Sequence, residues 1–242
     1  MKFIRRLLLF ILIILVVVGG VFYTNGKKLY DEKLSQVSLS DKVNSLKQSE
    51  DFVYLKDLPK QYINAVVAVE DHRYYNHGAI DPIALLRATF SNLKQKEFKE
   101  GGSTITQQTA KNLYFISEDD VVSRKSAEAI LSFTLEKEFS KDEILELYVN
   151  TIYFGNGYYG IKEACNGYLN KEPKDMTLYE CTMLAGIPNA PSVYAPTVNF
   201  ELTKKRQKKV VSSMQEYGYL TSEEASSLKN EIENSTLEDL KK

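Results

Sequence analysis

Thirteen residues between Val69 and Asp81 hold Glu70, Asp71, His72, Arg73, His77 and Asp81, and the only two histidines of the chain are among them. An apolar run, Ile63 to Val69, leads into this cluster. A carboxylate delivered by an apolar helix into a polar turn can become a buried general base. Desolvation raises its proton affinity toward neutral pH, where it can take a proton and give it up again. A solvated charge run at a helix end is the competing reading, and from this stretch alone both stay open, because structural ion pairs imitate sites.

Two further stretches carry chemistry. Gly101-Gly102-Ser103-Thr104-Ile105-Thr106-Gln107-Gln108 brings glycines, hydroxyls and amides to the start of a helix. Free N–H groups at a helix start hold anions or polar ligand oxygens; an ordinary cap is the alternative. Gln107 and Lys111 are four residues apart and share a face. Arg124-Lys125-Ser126-Ala127-Glu128 pairs Arg124 with Glu128 at the same spacing. On a surface such a pair is worth about 0.3–0.5 kcal/mol. The apolar Ile130, Leu131, Phe133 and Leu135 that follow point instead to a helix facing a core. Glu70 in an apolar pocket and Glu128 among cations are two carboxylates in unlike settings, the pattern that separates acid from base.

The elements that must position these groups read as helical nearly throughout. Pro59 suits a first helical position, with Ile63, Val66, Val67 and Glu70 on one face. Pro82 can open a second helix through Ile83, Leu86 and Phe90 to Leu93, and Lys94 to Gly102 reads as a mobile loop. A third helix starts after Ser103 or Thr104 and runs to Tyr114. Capping boxes at Ser140/Glu143, Thr177/Glu180 and Thr221/Glu224 mark later starts. Gly155 to Gly160 is a loop, and Pro188, Pro191 and Pro196 precede a basic helix, Phe200 to Tyr217. Lys204, Lys205, Arg206, Lys208 and Lys209 on that helix suit anionic headgroups or a solvated face. With no alternating strand series and no βαβ rhythm, the fold class is all-α.

The chain has 242 residues, 43% of them apolar, enough for one core. Its net charge of −1 gives no global field for nucleic acid, and no nucleic-acid partner is expected. Cys165 and Cys181 offer neither a disulfide framework nor metal-ligand spacing, and both read as buried free thiols. Residues 1–6 carry three cations, and Leu7 to Tyr23 is then free of charge. At 1.5 Å per residue that run spans about 26 Å, near the hydrocarbon thickness of a bilayer. It reads as an uncleaved anchor rather than a signal peptide, with the N-terminus cytoplasmic and the rest outside the cell membrane. The three cations removed, residues 7–242 carry −4, so an anionic ligand must be held by local cations. The organisation read from these signals is a cytoplasmic segment 1–6, an anchor 7–23, a stalk 24–44, a domain 45–235 and a tail 236–242.

Five boxes in order carry a family resemblance: Glu70-Asp71-x-x-Tyr74-x-x-His77, Gly102-Ser103-Thr104-Ile105-Thr106-Gln107-Gln108, Arg124-Lys125-x-x-Glu128, Lys141-x-x-Ile144-Leu145-x-x-Tyr148-x-Asn150, and Leu184-Ala185-Gly186-x-Pro188-x-x-Pro191. The chain resembles glycosyltransferase family 51, the peptidoglycan glycosyltransferase domain of class A penicillin-binding proteins and of monofunctional transglycosylases. The resemblance implies a lysozyme-like helical fold with a membrane-proximal mobile subdomain over Ala79 to Gly101, whose Leu85, Leu86, Phe90, Leu93 and Phe98 could touch membrane lipids. It implies polymerisation of lipid II onto a nascent glycan strand, with inversion and loss of undecaprenyl diphosphate. Glu70 would be the general base. Lys111, Arg124 and Lys125 would hold the diphosphate, with Glu128 orienting them or the donor. Ser103, Thr104, Gln107 and Gln108 would contact sugar or phosphate oxygens, and Asp71 and His77 would shape the site. The sequence offers no dedicated metal cluster, so no cofactor is expected as required; a divalent cation (Mg²⁺ or Mn²⁺), where used, would bridge diphosphate and carboxylate, and penicillin-binding transpeptidases are candidate partners. Tyr74 stands where a Phe is usual in the family, and Asp120 where an Arg is frequent. A lytic muramidase-like hydrolase and a catalytically weak scaffold are the alternatives.

Overall fold

A computed structural model describes residues 2–95 and 102–241. It contains twelve α-helices among the described residues: α1 Lys2–Gln36, α2 Leu39–Lys47, α3 Lys60–Glu70, α4 Pro82–Gln95, α5 Ile105–Ala110, α6 Val121–Glu138, α7 Lys141–Thr151, α8 Ile161–Leu169, α9 Leu178–Gly186, α10 Pro191–Tyr194, α11 Phe200–Glu216 and α12 Ser222–Asn234. The described residues form no strand; a lone antiparallel bridge joins Tyr153 and Tyr159 across the glycine loop. The all-α reading matches this architecture.

Local chemistry sets the helix starts. All three expected capping boxes form, and a fourth joins Thr104 to Gln107 at the head of α5. Asp120 caps α6, its carboxylate accepting from the Val122 and Ser123 N–H groups. Pro59 lies one residue before the first turn of α3 and is extended rather than helical. The expected third helix is α-helical only to Ala110 and then widens into a π-turn, Lys111–Phe115.

α3 is the central strut. Tyr62, Ala65, Val66, Val67 and Ala68 are buried, and the helix packs against α9 and α11. α5 lies between α6 and α7. Asn150 clamps the segment ahead of α3, accepting from the Val53 N–H and donating to its carbonyl, each at 2.8 Å. Cys165 and Cys181 are buried free thiols, and burial pushes Cys181 up to about 12.

The segment read as a stalk, 24–44, contains no break at its start. α1 runs through it as one helix to Gln36, and its second half packs along α6. In the N-terminal half, the described side chains between Phe3 and Tyr23 are exposed and mostly apolar, and the helix is long and apolar enough to cross a membrane. Of the expected mobile loop, Lys94 and Gln95 form the last turn of α4, and residues 96–101 lie outside the described residues. Ile83, Leu85 and Leu86 are exposed on α4. The side chains of Phe90 and Leu93, and all of Phe98, lie outside what is described.

Candidate active site

Glu70 is the last residue of α3, and it opens into a cleft of about 660 Å³. Its carboxylate is held from two sides. Gln108 Nε2 donates to Oε2 at 2.9 Å, and Arg206 Nη2 stands 3.6 Å from Oε1. Burial raises the proton affinity of Glu70, while the Gln108 hydrogen bond and Arg206 oppose that rise and Asp71 adds to it. Desolvation therefore dominates, as a general base near neutral pH requires.

The same cleft is lined by the second carboxylate. Glu128 is fully buried, with Lys125 Nζ at 2.7 Å and Arg124 Nε at 3.4 Å. The surface-pair reading is thereby excluded. Lys125 reaches Ser103 Oγ at 3.4 Å, and Lys111, on the π-turn, faces the same cleft. Burial, more than its cationic neighbours, lowers the proton affinity of Lys111. Arg124 stands behind this cation wall, its Nη1 donating to the Glu118 carbonyl at 3.0 Å. A cluster of cations around one carboxylate can accept a ligand carrying more than one negative charge.

Glu70, Ser103, Gln107, Gln108, Lys111, Lys125 and Glu128 all line the cleft. Four expected site residues do not: Thr104, Asp71, His77 and Arg124, the last standing behind the cation wall. Thr104 is buried: its hydroxyl donates to the Ala79 carbonyl at 2.8 Å and accepts from the Gln107 N–H. The hydroxyl is thus engaged by the cap and by the Ala79 carbonyl, and Thr104 does not line the cleft. Asp71 joins His77 Nε2 at 2.8 Å and accepts from the Ile105 N–H at 3.1 Å, tying the end of α3 to the head of α5. Both Asp71 and His77 frame the site from behind it.

A metal is tested against the same frame. One ligand atom each from Asp71, His77 and Asp81 lies within 4.8 Å of the others. Arg73 Nε occupies Asp81 at 3.1 Å, the Ile83 N–H takes its other oxygen, and His77 holds Asp71. A guanidinium and a hydrogen-bonded imidazole thus engage the two carboxylates of this group.

Arg206 is the residue that sequence reasoning missed. It lies on the basic helix, read as facing headgroups or solvent, yet its side chain is 9% exposed. Its Nε donates to the Gly186 carbonyl at 3.2 Å and its guanidinium lies over Tyr194. The helix splits its cations: Lys204 is buried against Glu201, Lys208 pairs with Glu233, Lys205 is exposed and Lys209 lines the cleft. A signal was present. Thr203, Arg206, Gln207, Val210, Val211 and Met214 follow helical spacing and form the buried face. The cleft mouth adds His72, stacked on Tyr217 at 4.2 Å between ring centroids, with Arg87 of α4 at 3.5 Å from His72 Nε2.

The helical domain thus lines one cleft with a desolvated carboxylate, Glu70, and a cation-bound carboxylate, Glu128. The transglycosylase family model matches residues 37–215, and the chain belongs to that family. Penicillin-binding protein 1F of Bacillus subtilis is 39% identical over 213 residues, 87% of this chain and 30% of its own length. Penicillin-binding protein 1A of Neisseria lactamica is 43% identical over 184 residues, 76% of this chain and 23% of its own. A Cupriavidus necator protein named as a transglycosylase is 41% identical over 186 residues, 77% of this chain and 80% of its own. The chain thus spans less than a third of the length of the two penicillin-binding proteins. A solved structure of penicillin-binding protein 1A from Haemophilus influenzae shares 23% identity at a TM-score of 0.45, over 74% of this chain and 17% of that one.

Proposed function

We propose that this protein is a membrane-anchored peptidoglycan glycosyltransferase that polymerises lipid II. The observation that carries the reading is the pairing of Glu70, buried and held beside Arg206, with Lys111, Lys125 and Glu128 in the same cleft. Glu70 takes the proton from the acceptor 4-hydroxyl as that oxygen attacks the donor anomeric carbon. The bond to undecaprenyl diphosphate breaks on the opposite face, so a single displacement inverts the centre. Lys111 and Lys125 receive the charge that develops on the diphosphate, with Arg124 supporting them from behind. Glu128 keeps the cations in place. Pre-placed charges of this kind act without reorganisation at the moment of reaction. Arg206 favours the ionised form of Glu70, which burial alone would suppress. No step is assigned to a metal. The apolar half of α1 would hold the cleft at the leaflet where a lipid-linked donor resides, with residues 1–6 cytoplasmic. Nascent glycan and penicillin-binding transpeptidases are the partners this activity would have.

Incubation of the detergent-solubilised chain with labelled lipid II tests the reading. Polymer is expected on a gel, and Glu70→Gln is expected to reduce it by about 10²–10⁴-fold with an unchanged melting transition. Release of muropeptides from finished glycan, without polymer from lipid II, would make the protein a hydrolase instead.

A further inference from the structure

Gly26 lies inside a 35-residue helix. A glycine there costs about 1 kcal/mol relative to alanine, so a packing reason is expected. The reason is α6. A Cβ at Gly26 would stand 2.1 Å from Ser126 Oγ and 2.3 Å from Ser126 Cβ, whereas Gly19 and Gly20 on the same helix have nothing within 4 Å. α1 and α6 therefore meet at backbone-close range at one point. Ser126 is the residue after Lys125 and two before Glu128, so this contact sets the height of the turn that carries the cations.

Two more contacts, one from α1 and one from the residue just after it, reach the same wall. Lys33 Nζ is 2.5 Å from Glu118, and the Glu118 carbonyl is the group that accepts from Arg124. The Val37 carbonyl accepts from the Tyr114 hydroxyl at 3.0 Å, within the π-turn that begins at Lys111. The two segments that carry Lys111, Arg124 and Lys125 are thus tied to α1 or to the residue after it. Tyr30 and Thr134, 3.3 Å apart, set the rotation of the two helices further along α6.

We propose that α1 is the element that positions the cation wall, with Gly26 and Lys33 as its positioning residues. Neither touches the ligand; each acts through the turns that carry Arg124, Lys125 and Glu128. The proposal rests on reading that wall as the diphosphate side. Misplacement of about 1 Å in a preorganised site costs on the order of 100-fold in rate. A side chain at Gly26 forces the helices apart by a comparable distance.

The test uses the full chain in detergent, with inorganic pyrophosphate as probe and calorimetric titration as readout, beside kcat and KM on lipid II. Gly26→Val is expected to weaken pyrophosphate on the order of ten-fold and to lower kcat/KM at least as much. Gly20→Val, on the same helix but facing open space, leaves both at the wild-type level. Lys33→Ala weakens pyrophosphate in the same direction without crowding the helices, and it carries the test if Gly26→Val fails to fold. Adding Ser126→Gly to Gly26→Ala removes the two nearest atoms and recovers part of the lost affinity. Unchanged affinity in both Gly26→Val and Lys33→Ala overturns the proposal. So does equal loss in Gly20→Val, or a wild type that binds no pyrophosphate. The dissociation constant is read without turnover and does not depend on the active fraction. A wild type that binds pyrophosphate but makes no polymer would sink the glycosyltransferase reading, and the affinity ratios would still decide this one.

Discussion

Replacing Arg206 by Met removes the guanidinium 3.6 Å from Glu70 Oε1 and keeps an aliphatic stem beside Gly186. At an effective dielectric constant near 20, charges at that separation interact by roughly 4–5 kcal/mol. Burial pushes Glu70 toward its protonated form, and Arg206 and the Gln108 hydrogen bond are the two influences that oppose it. With Arg206 gone, the hydrogen bond alone opposes desolvation, and the carboxyl keeps its proton to higher pH. If about 3 kcal/mol of the interaction is expressed in that equilibrium, proton binding to Glu70 strengthens about 10²-fold, at 1.4 kcal/mol per factor of ten. The expected result is an acid limb of kcat/KM displaced upward, a loss that deepens toward about 10²-fold on that limb as pH falls, and recovery as pH is raised. Arg206→Lys keeps a cation and loses less. The assay is initial-rate consumption of labelled lipid II across pH, with melting temperatures recorded at each point. A variant that loses the same factor at every pH, its acid limb unmoved, would refute the electrostatic argument and leave Arg206 a packing residue.

Glu128→Gln strips Lys125 and Arg124 of a buried counter-charge. Because Lys125 is 42% exposed and partly screened, the loss of stability is expected at about 1–3 kcal/mol, read by denaturant titration. Pyrophosphate should then raise the melting temperature of the variant more than that of the wild type; equal shifts would count against Glu128 as counter-ion. Asp120→Ala removes the cap of α6 and is expected to lower the melting temperature by about 2–6 °C while turnover persists. Collapse of turnover in a folded Asp120→Ala protein would return that position to the ligand-binding machinery.

Much of the helical framework was legible along the chain, because its signals act within one turn. Thr177 and Glu180, or Ser140 and Glu143, satisfy each other's backbone groups across three residues wherever the helix ends up. Glu70 was legible for a related reason: an apolar helix must bury the side chain at its end unless the chain turns outward. Asp120 shows the limit of reading by position. The family pattern marked it only as an Asp where an Arg is frequent, whereas the structure makes it a helix cap whose carboxylate accepts from the Val122 and Ser123 N–H groups.

The amino-acid order alone determined the all-α class, the apolar N-terminal helix, the main helix starts and the two carboxylates with their cations. Only the tertiary structure decided that Arg206 turns inward to Glu70 while Lys205 stays in solvent, that the Thr104 hydroxyl is consumed by the Ala79 carbonyl, and that the same N-terminal helix continues along α6 through Gly26. The division has one physical cause. Caps and i, i+4 pairs are short-range contacts that one helix makes with itself. Which side chains share a low-dielectric cleft depends on how helices distant in sequence pack, and on which of several equal-looking cations that packing buries.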